Sequence, residues 1–99
     1  MARYDLYPGI GGAGYLLDVQ ADLLEELSTR VVVPLVPHSA RVELVRKLNP
    51  VFQVDGRQYA MFTHLISAVP LARLREPRAN LLLHHDEIVT ALDMLFQGF

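Results

Sequence analysis

VFQVDGRQYAMFTH, residues 51–64, is the stretch that decides the fold. Asp55 and Gly56 stand at its centre, and both residue types accept the positive φ angles of a two-residue type I′ turn. Residues that favour strands, such as Val51 and Tyr59, lie on both sides of the pair. The pattern therefore predicts an antiparallel β-hairpin.

Strand patterns also occur on both sides of this hairpin. The sequence predicts strands over Arg3–Tyr7, Tyr15–Val19 and Arg30–Val36 before it, and one more over Leu65–Leu71 after it. Pro34 interrupts the β-branched run RVVVPLV, and because proline has no N–H to donate, it predicts a sheet edge or a bulge there. Residues 38–48 stay ambiguous, since their helical spacing of apolar residues is short and ends at Asn49-Pro50.

The last segment carries the clearest helical pattern. At 100° per residue, one face would hold His84, Ile88, Ala91, Leu92, Leu95 and Phe99, and the opposite face Asp86, Thr90, Asp93 and Gln97. Acidic residues occupy the first turns, where the helix dipole favours them, and Gly98 is placed to end the helix. The predicted fold is mainly β: a small antiparallel barrel or sheet with one C-terminal helix packed on it.

Length and composition narrow the class of protein. The 99 residues predict a single domain over 1–99, with room for one modest core. The hydrophobic share of 52% and the mean hydropathy of +0.24 lead us to expect that some apolar surface is buried against a second subunit or partner. A high Val and Leu content in a small β-rich protein is the alternative explanation.

Several features predict a cytoplasmic protein. No apolar run approaches the roughly 18 residues that a membrane span needs. Asp5 interrupts the N-terminal stretch where a signal peptide would be continuously apolar. The absence of cysteine removes disulfides, thiolate metal ligands and cysteine nucleophiles.

The charge distribution is more informative than the net charge. Nine Lys and Arg against eleven Asp and Glu give −2, which provides no general attraction to nucleic acid. However, Arg73, Arg75 and Arg78 form a cluster within six residues.

Residues 9–14, GIGGAG, match the G-x-G-x-x-G pattern of dinucleotide-binding loops. That motif works where a strand leads through the glycines into a helix N-terminus. Here the following residues, from Tyr15 on, read as a strand. We therefore interpret the stretch as a hairpin loop and expect no nucleotide cofactor.

Histidines suggest two kinds of chemistry. His84 and His85 are adjacent, so on a helix they point about 100° apart, and His38 and His64 lack a known zinc spacing, so we expect no metal. His85 near the arginine cluster would suit a ribonuclease-type general base, with a solvated basic loop as the alternative that we favour. The serines have no surrounding elbow glycines, which argues against a serine hydrolase.

The apolar C-terminus favours a surface that binds a partner. Met94, Phe96 and Phe99 are large side chains at a chain end, where burial by the same domain is hardest. Methionine and aromatic residues are common interface anchors. Packing in the core or in a dimer is the simpler alternative.

Several segments, taken in order and spacing, resemble the CcdB family of bacterial toxins. They are residues 17–22 (LDVQAD), 30–35 (RVVVPL), 49–51 (NPV), 61–63 (MFT), 67–70 (SAVP) and 95–99 (LFQGF). The resemblance implies a homodimer of SH3-like barrels, similar also to MazF toxins. It further implies a non-enzymatic protein that binds the A subunit of DNA gyrase and traps the cleaved-DNA complex. A cognate antitoxin neutralises such toxins, and the toxin–antitoxin complex represses its own operon, with DNA contacted by the antitoxin.

The resemblance also assigns residues by position. The gyrase-binding tip would be Gln97, Gly98 and Phe99, where the family pattern ends in Trp, Gly and an apolar residue. The antitoxin-binding residues would be Leu23, Leu24, Asp93, Phe96 and Gln97. Gln97 departs from the family tryptophan, and the arginine cluster replaces an acidic loop. A MazF-like endoribonuclease, or a non-toxic dimer that still binds antitoxin, are the alternative functions.

Overall fold

The computed structural model describes residues 2–9 and 14–99. The strands are β1 (Asp5–Pro8), β2 (Tyr15–Asp18), β3 (Thr29–Pro37), β4 (Val51–Val54), β5 (Arg57–Met61), β6 (Ser67–Pro70) and β7 (Ala79–Asn80), and the α-helix is α1 (His85–Gln97). Short 3-10 helices occupy Asp22–Leu24, Thr63–Leu65, Leu71–Arg73 and Leu82–His84.

All strand pairings in the described part of the chain are antiparallel. The sheet runs in the order β4-β5-β3-β2-β1-β7, and β6 pairs with the first half of β3. The sheet curls into a half-barrel with α1 at its C-terminal end, as in a small SH3-like barrel. The predicted fold class is therefore confirmed.

The β4–β5 hairpin forms as its sequence predicts. Val54 pairs with Arg57, which leaves Asp55 and Gly56 as the two turn residues. Their φ angles are +53° and +78°, as a type I′ turn requires. The strands before it also form, but β1 begins at Asp5 because Tyr4 has a φ of +72°, which breaks the strand predicted from Arg3.

The prediction of a sheet edge at Pro34 is wrong, because β3 lies inside the sheet. One side of β3 pairs with β2 through Val32–Leu35. On the other side, the pairing with β6 ends at Val32 of β3, and the pairing with β5 begins at Leu35 of β3. Pro34 lies at this change of partner, with its carbonyl accepting from Phe62 N on the β5 side. On the side of β3 that faces β6 and β5, neither strand has a register partner for Pro34, whereas on the other side Pro34 pairs with Leu16 of β2.

The helix also forms as predicted, with one exception. Ile88 and Ala91 are buried in the core, and Asp86, Thr90, Asp93 and Gln97 are exposed on the opposite face. Phe99 does not follow the buried stripe, since it lies beyond the helix end and is 82% exposed. Residues 38–48 contain neither helix nor strand.

The core fills the concave face of the sheet. Most of its buried side chains come from β1 to β5 and from α1, and they include Leu6, Leu17, Val33, Leu35, Phe52, Met61, Ile88 and Ala91. A smaller cluster of Tyr7, Val32 and Leu74 covers part of the other face. Burial raises the pKa of Tyr7 to about 12, with the nearby carboxylates of Asp5 and Asp18 adding to the shift.

A buried ion pair joins β2 to β3. Arg30 Nε donates to Asp18 Oδ2 at 2.8 Å, Nη2 lies 2.7 Å from the same oxygen, and both side chains are fully buried. Burial raises the pKa of the Asp18 carboxyl, and the hydrogen bond from Arg30 opposes that shift. Asp18 Oδ1 also accepts from Gln20 N at 3.0 Å. The pair therefore fixes the chain where it leaves β2.

Gly14 allows β2 to approach β3 closely. Its φ is +75°, and a Cβ added there would collide with the carbonyl oxygen of Leu35. Gly14 O accepts from Gly9 N at 3.0 Å, which closes the base of the β1–β2 connection. The glycine-rich stretch therefore joins two antiparallel strands, and residues 10–13 of that predicted loop lie outside the described residues.

Arg30→Met should lower the free energy of unfolding by about 3–5 kcal/mol, because it leaves the Asp18 carboxylate buried without its partner. Adding Asp18→Asn should restore much of the loss, since the amide keeps an acceptor for Gln20 N and removes the charge. Urea denaturation measures both, with the exposed Arg46→Met as control. Equal stability of Arg30→Met and Arg46→Met would contradict the structural role of the pair.

Gly14→Ala should destabilise the protein more than Gly56→Ala. Both glycines have positive φ, so each alanine costs about 1–2 kcal/mol of backbone strain. Only Gly14 adds a collision with backbone, which should cost about 1–3 kcal/mol more, whereas nothing lies within 4 Å of a Cβ at Gly56. Thermal unfolding compares them, and equal losses would show that β2 and β3 can separate at Leu35 without cost.

Candidate partner-binding surface

An apolar cavity of about 400 Å³ opens beside the C-terminal half of α1. We call it the groove, and it is lined by Val19, Gln20, Ala21, Leu24, Leu27, Thr29, Val31, Ile66, Leu92 and Phe96. These residues come from the segment between β2 and β3, from the start of β3, from the approach to β6 and from the helix. The groove therefore exists only once the sheet and the helix have packed.

Local spacing and hydrogen bonds position the groove walls. Leu92 and Phe96 are four residues apart, so they lie on the same side of α1. On the opposite wall, Gln20 Nε2 donates to Leu24 O at 3.1 Å, and Gln20 Oε1 accepts from Val31 N at 3.0 Å. One side chain thus connects the Leu24 segment to β3.

The groove and its surroundings expose large apolar side chains. Phe96 is 70% exposed, Leu23 92%, Leu24 46% and Leu27 49%. Contiguous exposed apolar groups of this kind mark interaction sites in folded proteins. The arrangement suits a partner that places apolar side chains into the groove.

The C-terminal residues extend beyond the helix as a second exposed feature, which we call the tip: Gln97, Gly98 and Phe99. Gly98 adopts the left-handed conformation with φ +81°, and its N–H donates to Met94 O at 3.0 Å. This conformation turns the chain away from the helix axis and leaves Phe99 82% exposed. The tip presents an aromatic ring and backbone groups to solvent.

Gln97 faces outward on the polar side of α1. Its Nε2 lies 3.5 Å from Asp93 Oδ1, one helical turn earlier, and both residues are exposed. These two side chains pair at the limit of hydrogen-bond distance. An amide therefore occupies the outward position beside the exposed Phe96 and Phe99.

The structure brings part of the predicted antitoxin-binding set together. Leu24 and Phe96 line the same groove, and Leu23 precedes Leu24 in the chain. Asp93 and Gln97 lie on the adjoining face of α1. Sequence reasoning missed six apolar lining residues, namely Val19, Ala21, Leu27, Val31, Ile66 and Leu92. The spacing of Leu24 and Leu27 in an otherwise acidic segment was one available signal.

The ribonuclease hypothesis requires His85 to lie near the arginine cluster, and in the described residues the structure shows no polar or aromatic contact between them. His85 Nδ1 is 2.5 Å from Tyr4 OH, and the two rings meet edge to face with centroids 5.5 Å apart. Arg75 and Arg78 line cavities elsewhere on the surface. Within residues 2–9 and 14–99, no hydrogen bond or aromatic contact connects His85 to these arginines.

Residues 2–9 and 14–99 contain no group of three or more His, Cys, Asp or Glu placed to hold a metal ion. In the same residues, no helix has the length and apolar character needed to cross a membrane.

Phe96→Ala should lower the free energy of unfolding by less than about 1 kcal/mol, because the ring is mostly in solvent. Phe52→Ala is the matched control, since that ring is only 2% exposed and its removal should cost about 3–5 kcal/mol. Urea denaturation distinguishes the two variants. Comparable losses would show that Phe96 stabilises the fold and is not held exposed for a partner.

A comparison with protein families agrees with this architecture. The family model described as CcdB protein matches residues 3–98, which is nearly the whole chain. The match includes the segments that build the groove and most of the tip. The chain therefore belongs to the CcdB family, and is a toxin of the kind found in toxin–antitoxin modules.

Proposed function

We propose that this protein binds the A subunit of DNA gyrase through the tip and traps gyrase with its DNA cleaved. The observation that carries the proposal is the exposed Phe99, held away from the helix by the left-handed Gly98, in a chain of the CcdB family. An exposed aromatic anchor just beyond a helix end suits insertion into a pocket of a larger protein. The proposed mechanism is binding to a reaction intermediate, with no chemistry by the toxin itself.

We propose the groove as the main contact for the cognate antitoxin. An apolar channel suits a disordered segment that folds on contact and places side chains at regular intervals. Its rim carries negative charge, because Glu25 and Glu26 lie exposed between Leu24 and Leu27, and Asp93 lies on the helix. We therefore expect an antitoxin segment in which basic residues flank apolar anchors.

Neutralisation follows from overlap between the two proposed sites. Gln97 belongs to both the tip and the antitoxin-binding set, and Phe96, one residue earlier, lines the groove. A segment that fills the groove and covers Gln97 would therefore block gyrase. The antitoxin would also be able to contact the groove first, while gyrase still holds the tip, and then displace gyrase by covering Gln97.

The remaining parts of the proposal follow from family membership. We propose a single toxin domain over residues 1–99 that acts as a homodimer in the cytoplasm, where gyrase and DNA are found. The complex with antitoxin would repress its own operon, with the DNA contacts made by the antitoxin.

Purified protein tested against gyrase from the same source decides the main proposal. We expect inhibition of plasmid supercoiling together with accumulation of covalently trapped, cleaved DNA. Phe99→Ala should reduce both effects, whereas Leu83→Ala, which removes another highly exposed apolar side chain (98% exposed), should not. Absence of inhibition, of trapped cleavage and of binding at micromolar protein would overturn the proposal.

Gln97→Trp should raise the affinity for gyrase. An interfacial tryptophan is typically worth about 2 kcal/mol or more, or roughly thirtyfold in affinity, and an amide cannot replace its stacking area. Calorimetry or surface plasmon resonance with the gyrase A subunit measures the change. Gln53→Trp, at an exposed position on β4, controls for non-specific adhesion. An equal gain from both variants, or none from Gln97→Trp, would contradict contact between position 97 and gyrase.

A further inference from the structure

A second, chemically different cavity lies at the hairpin end of the sheet. It measures about 550 Å³, within the range of small-molecule sites, and we call it the hairpin-end pocket. Its lining includes Tyr15, Tyr59, Arg57, Arg78 and Asp55. None of these residues lines the groove or belongs to the tip.

The pocket carries guanidinium groups that are not neutralised by contact with the rest of the protein. Arg57 and Arg78 are both exposed, and in the described residues neither has a carboxylate oxygen within 4.0 Å. Asp55 is the one acidic residue among the described lining residues, so the pocket itself has a net charge of +1. A neighbouring cavity of about 490 Å³ shares Arg78 and adds Arg75 and Glu76. Positive charge is thus concentrated here in a chain of net charge −2.

Two tyrosines give the pocket an aromatic wall. The rings of Tyr15 and Tyr59 meet edge to face, with centroids 5.1 Å apart and an interplanar angle of 74°. Tyr59 is buried behind Tyr15, which is partly exposed. Burial raises the pKa of Tyr15, with Tyr59 and Asp55 adding to the shift and Arg78 opposing it. The charges of Asp55 and Arg78 therefore act at the Tyr15 hydroxyl.

The backbone around the pocket is fixed on three sides. Gly14 lies in the lining where β2 packs against Leu35 without room for a Cβ. Arg78 N donates to Leu6 O at 2.7 Å, which attaches the arginine segment to β1. The type I′ turn holds Asp55 and places Arg57 at the start of β5. Preorganised walls reduce the entropy that binding costs.

We propose that the hairpin-end pocket binds a nucleotide, with the phosphate held by Arg57 and Arg78 and the base packed against Tyr15. Arginine guanidinium groups match phosphate oxygens in geometry and charge, and tyrosine faces stack on bases of any sequence. The ligand is either a free mononucleotide or one nucleotide of a single strand. The proposal is one of binding, with no chemical step at the pocket.

The test uses adenosine 5′-monophosphate as the probe, with calorimetry and amide chemical shifts on isotope-labelled protein. We expect saturable binding that perturbs Tyr15, Arg57 and Arg78. Adenosine, which lacks the phosphate, should bind at least about tenfold more weakly, because charge-assisted hydrogen bonds are lost. A short single-stranded oligonucleotide that binds much more tightly than the mononucleotide would identify the strand as the source of the ligand.

Charge variants distinguish binding in this pocket from a general attraction of the phosphate to positive charge on the protein surface. Arg57→Gln and Arg78→Gln should each weaken binding by about tenfold or more, whereas Arg46→Gln, exposed and outside the lining, should change it little. Asp55→Asn should tighten binding by at least about twofold, since it removes a repulsive charge and asparagine suits the type I′ turn. Thermal unfolding of each variant checks that the fold is intact.

Three results would overturn the proposal. They are no binding at millimolar nucleotide, equal losses from Arg46→Gln and Arg78→Gln, and a glutamate-rich peptide that occupies the pocket while the nucleotide does not. The assay contains no gyrase, so its result is independent of the proposed toxin mechanism.

Discussion

The buried ion pair between Arg30 and Asp18 determines where the chain goes after β2. It joins the end of β2 to the start of β3, and the Asp18 carboxylate also accepts from Gln20 N. Gln20 in turn bonds to Leu24 O and Val31 N, which places Leu24 in the groove. A buried charge that loses its partner is strongly destabilising, so this geometry is held firmly. The proposed antitoxin contact therefore depends on a polar interaction beneath it.

Sequence reasoning succeeded where the cause is local. Asp55-Gly56 specifies its turn through the φ angles that these two residues accept, and Gly98 specifies the helix end in the same way. It failed to place Pro34 inside the sheet, because the change of partner from β6 to β5 depends on strands more than twenty residues away in the chain. The groove was predicted only in part, since Ile66 and Leu92 meet only after the helix has packed on the sheet. Nothing in their own neighbourhoods indicates that contact.

The molecule presents two surfaces of opposite character. The tip and groove are apolar with acidic residues on the rim, and they suit protein partners that bring apolar anchors. The hairpin-end pocket is cationic and aromatic, and it suits a phosphate with an attached base. Gln97 adds an exposed amide to the first surface, and Arg75 adds positive charge beside the second.

Hydrogen–deuterium exchange of the protein with and without the gyrase A subunit tests the central claim most directly. We expect new protection at residues 92–99, with the β4–β5 hairpin unchanged. Adding the cognate antitoxin should transfer protection to residues 19–31 and restore free gyrase. Protection confined to the hairpin, with residues 92–99 exchanging as in the free protein, would contradict a partner-binding role for the tip.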